Sequence, residues 1–360
     1  MFQNRLEKLR QLLQKQSLDA YITTKQENRQ YISNFTGTSG YLLVTANDAV
    51  LFTDSRYMEQ AKEQINKGGV SIRVIEHDSL YWKTIVQWLQ QQSIQELGFD
   101  SSNTTFDTYT LWKEQWNNID LKPTNDLIAI LRMVKDASEI SGIKQATQLT
   151  DEAFQSVLGM IRPGIREIEI ALALEFYVKK RGAQQLAFDI IVASGKRSAL
   201  PHGVATNKMI EPGDFITIDF GIKLNGYCSD MTRTVVAGKA SNRQKEIYQT
   251  VLTAQQLVLD NIKAGMTGKN VDEIARNYIY QNGYRGYFGH GLGHGLGQEV
   301  HEGPRLSPTS DTILIPGMVV TVEPGIYIPN FGGVRIEDDV VIENNGCMIL
   351  NSTPKHLLEL

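Results

Sequence analysis

The stretch PGDFITIDFGI, Pro212 to Ile222, decides how this 360-residue chain is read, because it returns as PGMVVTVEPGI from Pro316 to Ile326. Both copies carry Pro-Gly, a threonine between aliphatic residues, an acid, and Gly-Ile. The acids are Asp219 and Glu323, 104 residues apart. Each copy is followed by a second acid-bearing strand, GYCSDMTRTVV after the first and VRIEDDVVI after the second. An aliphatic strand that repeats a carboxylate needs a physical reason to do so, since an unpaired buried charge is costly.

The first copy runs through KLNGY, where Asn225-Gly226 is the favoured pair for a two-residue type I′ hairpin turn. With those turn residues, Leu224 faces Tyr227 and opposed residues sum to 451. Asp219 then faces Thr232, and Asp230 lies diagonally on the same face, ~7–8 Å away at Cα. Two carboxylates on one strand face repel unless a cation lies between them. Glu323 and Glu337 repeat the pattern on strands too apolar for an exposed face. Four acids on four apolar strands read as metal ligands.

A fifth piece is GHGLGHGLGQEVHEG, Gly289 to Gly303. His290 and His294 stand four apart, but glycines at 289, 291, 293, 295 and 297 speak against a helix, where each costs ~1 kcal/mol. Gly291 also stands where the glutamate of HExxH would be. The segment reads as extended chain that lets backbone approach closely. His202, His290, His294 and His301 make up four of the six histidines. Oxygen ligands, one imidazole and no thiolate favour a divalent ion such as Mn, Co, Fe or Zn. Four carboxylates exceed what one such ion needs, so two ions with bridging carboxylates are expected.

The remainder bounds the setting. Lys+Arg 36 against Asp+Glu 40 leaves a net charge of −4, which points to neither a nucleic-acid partner nor a basic membrane face. Two cysteines without CxxC spacing suit a reducing compartment. No apolar run approaches the ~20 residues of a membrane span, and the charged N-terminus has no signal-peptide core. A cytoplasmic protein is expected. Residues 1–125 alternate helix and strand signals and hold all four tryptophans, so they form a smaller α/β domain. A linker is expected over 126–136, then a helix capped by Asp136 with Glu139 three residues on. Residues 137–360 form the second domain. Its Glu-Ile-Ala triplets at 169–171 and 273–275 repeat the 104-residue offset. Two half-domains follow, each a helix pair plus a hairpin.

The ordered motifs ASGKRSALPHG, IDFG, SDMTRT, GHGLGH…EVHEGP, TVEPGIY and RIEDDV resemble metallopeptidase family M24, in particular its Xaa-Pro branch of prolidases and aminopeptidases P. NFTGTSGYLLVT and FTDSRYMEQA resemble the creatinase-type N-terminal domain of that branch. The resemblance implies an α/β (α+β) chain with a pita-bread catalytic domain built from pseudo-twofold halves. It implies metal ligands at Asp219, Asp230, His294, Glu323 and Glu337, and two divalent ions, Mn or Co first. It also implies catalytic or substrate-binding roles for His202, His290 and His301, with Glu323 moving the proton. Arg335 belongs beside the site, as a catalytic group or as a structural partner for a ligand carboxylate. The implied substrate is a proline-containing peptide cut before proline, and the implied assembly a homodimer. Alternatives are a broader aminopeptidase and a non-catalytic binding protein on the same fold.

Overall fold

The computed structural model describes all residues, Met1–Leu360, in two compact units, Met1–Arg132 and Met133–Leu360. In the first unit, β1 (Ala20–Thr23), β2 (Tyr41–Thr45), β3 (Ala49–Thr53), β4 (Arg73–Glu76), β5 (Glu96–Asp100) and β6 (Asp120–Thr124) form one mixed sheet. Its order is β4-β3-β2-β1-β5-β6. Alternation along β1 explains the two cores. Tyr21 packs with Leu6, Leu9 and Leu13 of the first helix, while Ala20 and Ile22 pack with Trp88, Trp112 and Trp116 on the other face. The chain just before the expected boundary at 125 is the sheet's edge strand β6. The expected linker opens with a helix, Leu127–Arg132, whose Leu127 and Ile128 are buried in the first unit's core. Two apolar side chains one turn deep in a core keep that segment from being a free connection.

The second unit begins with the capped helix Ala137–Val157. Asp136 accepts from the backbone of Ser138 and Glu139, and Glu139 accepts from the backbone of Asp136. That capping box is worth ~1 kcal/mol. The helix pairs with Glu167–Lys180, and both bury their apolar faces on Ile216, Ile218 and Phe220 of the strand Phe215–Phe220. The helices Asn242–Asn261 and Gly268–Ile279 bury theirs on Val320 and Val322 of Val319–Val322 in the same way. Because side chains alternate along a strand, Thr217 and Asp219 in one half, and Thr321 and Glu323 in the other, turn away from the helices. The repeat in the sequence is thus one strand design used twice. Thr217, Asp219, Thr321 and Glu323 are left for a shared polar face.

The first hairpin keeps the expected register from end to end. Asn225 and Gly226 have φ of 50° and 84°, as a type I′ turn requires, and Leu224 faces Tyr227. Asp219 faces Thr232. The ladder is interrupted at Gly221, where a Cβ would lie 2.1 Å from the Ser229 carbonyl oxygen. In the second hairpin, Val322 pairs with Asp338 and Gly325 with Arg335. The count between them sets Glu323 opposite Glu337. The counterpart of Glu337 in the first half is therefore Thr232, and that of Asp230 is Arg335.

The glycine-rich segment supplies a short central strand, Gly293–Gly295, between Glu302–Leu306 and Val319–Val322. A Cβ on Gly293 would stand 2.0 Å from the Thr321 carbonyl oxygen, and one on Gly295 2.0 Å from that of Gly303. Only glycine permits these approaches. Gly289 has open space around its missing Cβ. Gly293→Ala is expected to lower stability by more than ~3 kcal/mol, and Gly289→Ala by less than ~0.5 kcal/mol, in urea titrations. Equal effects would show that close approach does not set the glycine spacing.

Candidate metal centre

A cavity of about 400 Å³ opens in the second unit between the two hairpins and the glycine-rich strand. Asp219, Asp230, His294, Glu323 and Glu337 all line it, as do His202, His290, His301 and Arg335. Every site residue expected from the sequence therefore reaches one place. Ligand atoms of Asp230, His294 and Glu337 lie within 4.8 Å of one another. Nε2 of His294 stands 3.4 Å from Oε1 of Glu323 and 3.7 Å from Oδ2 of Asp230.

The His294 ring shows what the site lacks in protein partners. Its Nδ1 lies 3.1 Å from the Gly295 carbonyl oxygen, which can only accept, so Nδ1 carries the proton. Burial pushes the imidazole pKa down to about 3, so the ring is neutral and Nε2 presents a lone pair to two carboxylates. Lone pairs facing one another need a cation between them. Oδ1 of Asp219 and Oδ1 of Asp230 are likewise buried without a hydrogen-bond partner. Burial, followed by the neighbouring acids, raises the pKa of Asp230 and of Glu337, while burial brings Glu323 up to about 7. The donor set of oxygens and one imidazole fits a divalent ion of the hard-to-borderline kind.

Around this set a network holds the acids in place. Arg335, 3% exposed, donates to Asp219, to Thr232 Oγ1 (3.0 Å), to the Pro201 carbonyl (3.1 Å) and to the Tyr327 hydroxyl (2.7 Å). The Thr232 hydroxyl donates onward to Oε2 of Glu337 (2.6 Å). With every arm committed to protein, Arg335 has the geometry of a partner for a ligand carboxylate. Burial alone would lower its pKa, but Tyr327, Asp219 and the two glutamates raise it well above the usual value. Thr321 accepts from the His294 backbone N–H (3.1 Å) and donates to Oε1 of Glu323 (3.1 Å), which fixes that carboxylate against the imidazole strand.

The other three histidines differ in freedom. His290 donates from Nδ1 to the Gly291 carbonyl (2.7 Å), so its Nε2 accepts from the Tyr327 hydroxyl (2.9 Å). Both nitrogens are occupied, and burial lowers its pKa to about 4. His301 packs edge-on against His294 with ring centres 4.3 Å apart, and burial also lowers its pKa. His202 is exposed at the cavity rim. Tyr327 and Thr232 were not singled out from the sequence. The signals were there, since Tyr327 closes the TVEPGIY motif and Thr232 is the register partner of Asp219.

Carboxylates and imidazole converging on one point in a peptide-sized cleft define a metal-dependent hydrolase. The chain belongs to metallopeptidase family M24, which matches residues 141–344, and residues 5–134 match the creatinase/prolidase N-terminal domain. It is 47% identical to the uncharacterized peptidase YqhT of Bacillus subtilis, over 99% of this chain and all of that one. It is 42% identical to the Xaa-Pro dipeptidase of Pyrococcus furiosus, over 98% of this chain and 99% of that one. The solved Xaa-Pro dipeptidase of Bacillus anthracis superposes with a TM-score of 0.97 at 46% identity, covering 100% of both chains. No helix is long and apolar enough to cross a membrane.

The raised pKa of Glu323 makes stability depend on pH when metal is removed. Its folded value of about 7 lies above the ordinary glutamate value of 4.5, so the folded state holds the proton more tightly than the unfolded one. Stability from this group is full below pH ~4.5 and is lost as pH rises through 7, on the order of 3 kcal/mol. Thermal melts in chelator should fall over that range. Added Mn should reverse the trend, because its ligands bind once deprotonated. A flat profile in chelator would show that Glu323 is ionised without metal.

Proposed function

We propose that the chain hydrolyses the peptide bond preceding proline in Xaa-Pro dipeptides, using two divalent ions held by Asp219, Asp230, His294, Glu323 and Glu337. The observation that carries the reading is the neutral His294 lone pair facing the Asp230 and Glu323 carboxylates. Relatives named Xaa-Pro dipeptidase, similar over almost their whole length, support the choice of substrate. Mn or Co is the expected metal. Two free cysteines, one of them buried, accord with work in the cytoplasm, and the assembly is taken to be a homodimer.

Bound ions of this kind supply an activated water and polarise a carbonyl. Glu323 is poised to take the water's proton, since Thr321 holds its Oε1 and that oxygen faces the His294 ring at 3.4 Å. The exposed His202 contacts the substrate near the scissile amide. His301, exposed at the cavity and with its pKa lowered by partial desolvation, offers an N–H to the developing oxyanion. His290 cannot do the same as it stands, because both its nitrogens are engaged, so its part is to hold Tyr327 and through it Arg335. Phe188, Ile191 and Pro201 give the cavity an apolar wall suited to a pyrrolidine ring.

A length series decides the substrate. With added Mn or Co, Ala-Pro should turn over at least tenfold faster than Ala-Ala and than Ala-Pro-Ala. Faster cleavage of Ala-Pro-Ala would make the chain an aminopeptidase, and equal rates on Ala-Ala a general peptidase. No turnover, with metal bound, would leave only a binding protein.

Two substitutions separate the paired acids. Glu323→Gln should keep part of the metal and lose at least ~100-fold in kcat, because an amide cannot accept the proton. Asp219→Asn should lose metal first, with activity returning at high metal concentration. If Glu323→Gln is also rescued by metal alone, the proton is taken elsewhere.

A further inference from the structure

Two carboxylates outside the ligand set are fully buried and have no part in the chemistry above. Glu167 opens the second helix of the first helix pair, and Asp272 lies in the second helix of the second pair. Both have 0% exposure. Each is matched with an arginine, and each grips a segment that carries a cavity histidine.

Glu167 holds both ends of the 194–206 segment. Its Oε1 accepts from the Ser194 backbone N–H and hydroxyl, each at 2.8 Å. Its Oε2 accepts from the Thr206 N–H (3.1 Å), the Thr206 hydroxyl (2.7 Å) and the Arg197 guanidinium. Arg197 in turn donates to the Val204 carbonyl (2.8 Å). Five donors on one carboxylate tie the beginning, the middle and the end of this stretch together. Its centre is Pro201-His202, where the Pro201 carbonyl meets Arg335 and His202 lines the cavity.

Asp272 does the same with a different segment. It takes a bidentate pair from Arg276 at 2.6 and 2.8 Å, and its Oδ1 also accepts from the Leu292 N–H (3.0 Å). Arg276 donates to the carbonyls of Phe288 (2.9 Å) and His290 (2.7 Å). The ion pair therefore grasps the backbone on both sides of the His290 ring. Hydrogen bonds from several donors to one buried charge are strong and leave little freedom.

We propose that Glu167 and Asp272 are matched positioning residues, one in each half-domain, that set the placement of His202 and His290 in the cavity. Neither touches a ligand carboxylate or the substrate. They act through the backbone of the segment they grip. A shift of 1 Å in a substrate-contacting group can cost ~100-fold in rate, so a buried grip on the segment controls efficiency from a distance. The kinetic consequence rests on the peptidase reading; the local ordering does not.

The test uses full-length, metal-loaded protein. Glu167→Gln turns one acceptor oxygen into a donor and sets it against N–H groups. Amide hydrogen exchange should then rise at least tenfold across 195–206 and stay unchanged across 288–292. Asp272→Asn should give the reverse pattern. Bound metal should match wild type in both variants. With Ala-Pro, Glu167→Gln should raise KM about tenfold with kcat within threefold. Combined with His202→Ala it should cost no more than His202→Ala alone. Exchange that rises over the whole unit, loss of metal, or full additivity with His202→Ala would overturn the proposal. If Glu167→Gln does not fold, Thr206→Val removes a single donor from the same grip. It must then raise exchange locally for the proposal to stand. A wild-type enzyme inactive on every proline peptide refutes the peptidase reading instead, and leaves the exchange result to judge the grip.

Discussion

Asp219, Asp230, Glu323 and Glu337 repel one another inside a single cavity, and the second unit is organised around holding them there. Apolar strand faces packed under two helix pairs fix the backbone. Arg335 and Thr232 fix the side chains from behind, and the neutral His294 ring adds a lone pair where a donor would relieve the strain. A shell of this kind costs stability unless a cation joins it, which is why burial drives the proton affinities of Asp230, Glu323 and Glu337 upward. Arg335 answers one of these charges, at Asp219, and the others are placed where a metal, or protons in its stead, neutralises them.

The two halves reuse one plan without reaching identity. Counting along the hairpins pairs Asp219 with Glu323 as equivalents, but Thr232 takes the place that Glu337 holds, and Asp230 the place of Arg335. An acid in one half thus corresponds to a base in the other. The sites of strand and helix pair persist through the repeat, and each half has a buried grip carboxylate at its own position, while the side chains around the cavity have diverged to handle a substrate that has no symmetry of its own.

Much of this was legible because it is periodic or local. The register of the first hairpin follows from Asn225-Gly226, the capping of the helix after Asp136 from the spacing to Glu139, and the glycine spacing from backbone approach. All nine residues expected at the site line one cavity; hairpin register places the acids and Arg335, while the loop histidines follow from the motifs that carried the family resemblance. The misreadings lie where tertiary contacts decide. Leu127–Arg132 resembled the start of a linker by its polar flanks, yet its two apolar residues find a core. The occupancy of His290 by Tyr327 and Gly291, and the commitment of Arg335 to four partners, depend on distances that no spacing rule contains. Glu167 and Asp272 carry no sequence signal of their own; complete burial together with several backbone and guanidinium donors marks them.

The proposed ligands come from both half-domains, on strands or just beyond strand ends, and Asp219 and Glu337 stand 118 positions apart. Neither hairpin alone assembles the group of Asp230, His294 and Glu337. His294, Glu323 and Glu337 belong to one half, and Asp219 and Asp230 join them only once the long span has closed, a slow step in folding. Completion of the five-residue set is therefore a late event that reports a finished domain. A ribosome-bound or partly folded chain offers a cation only part of that set.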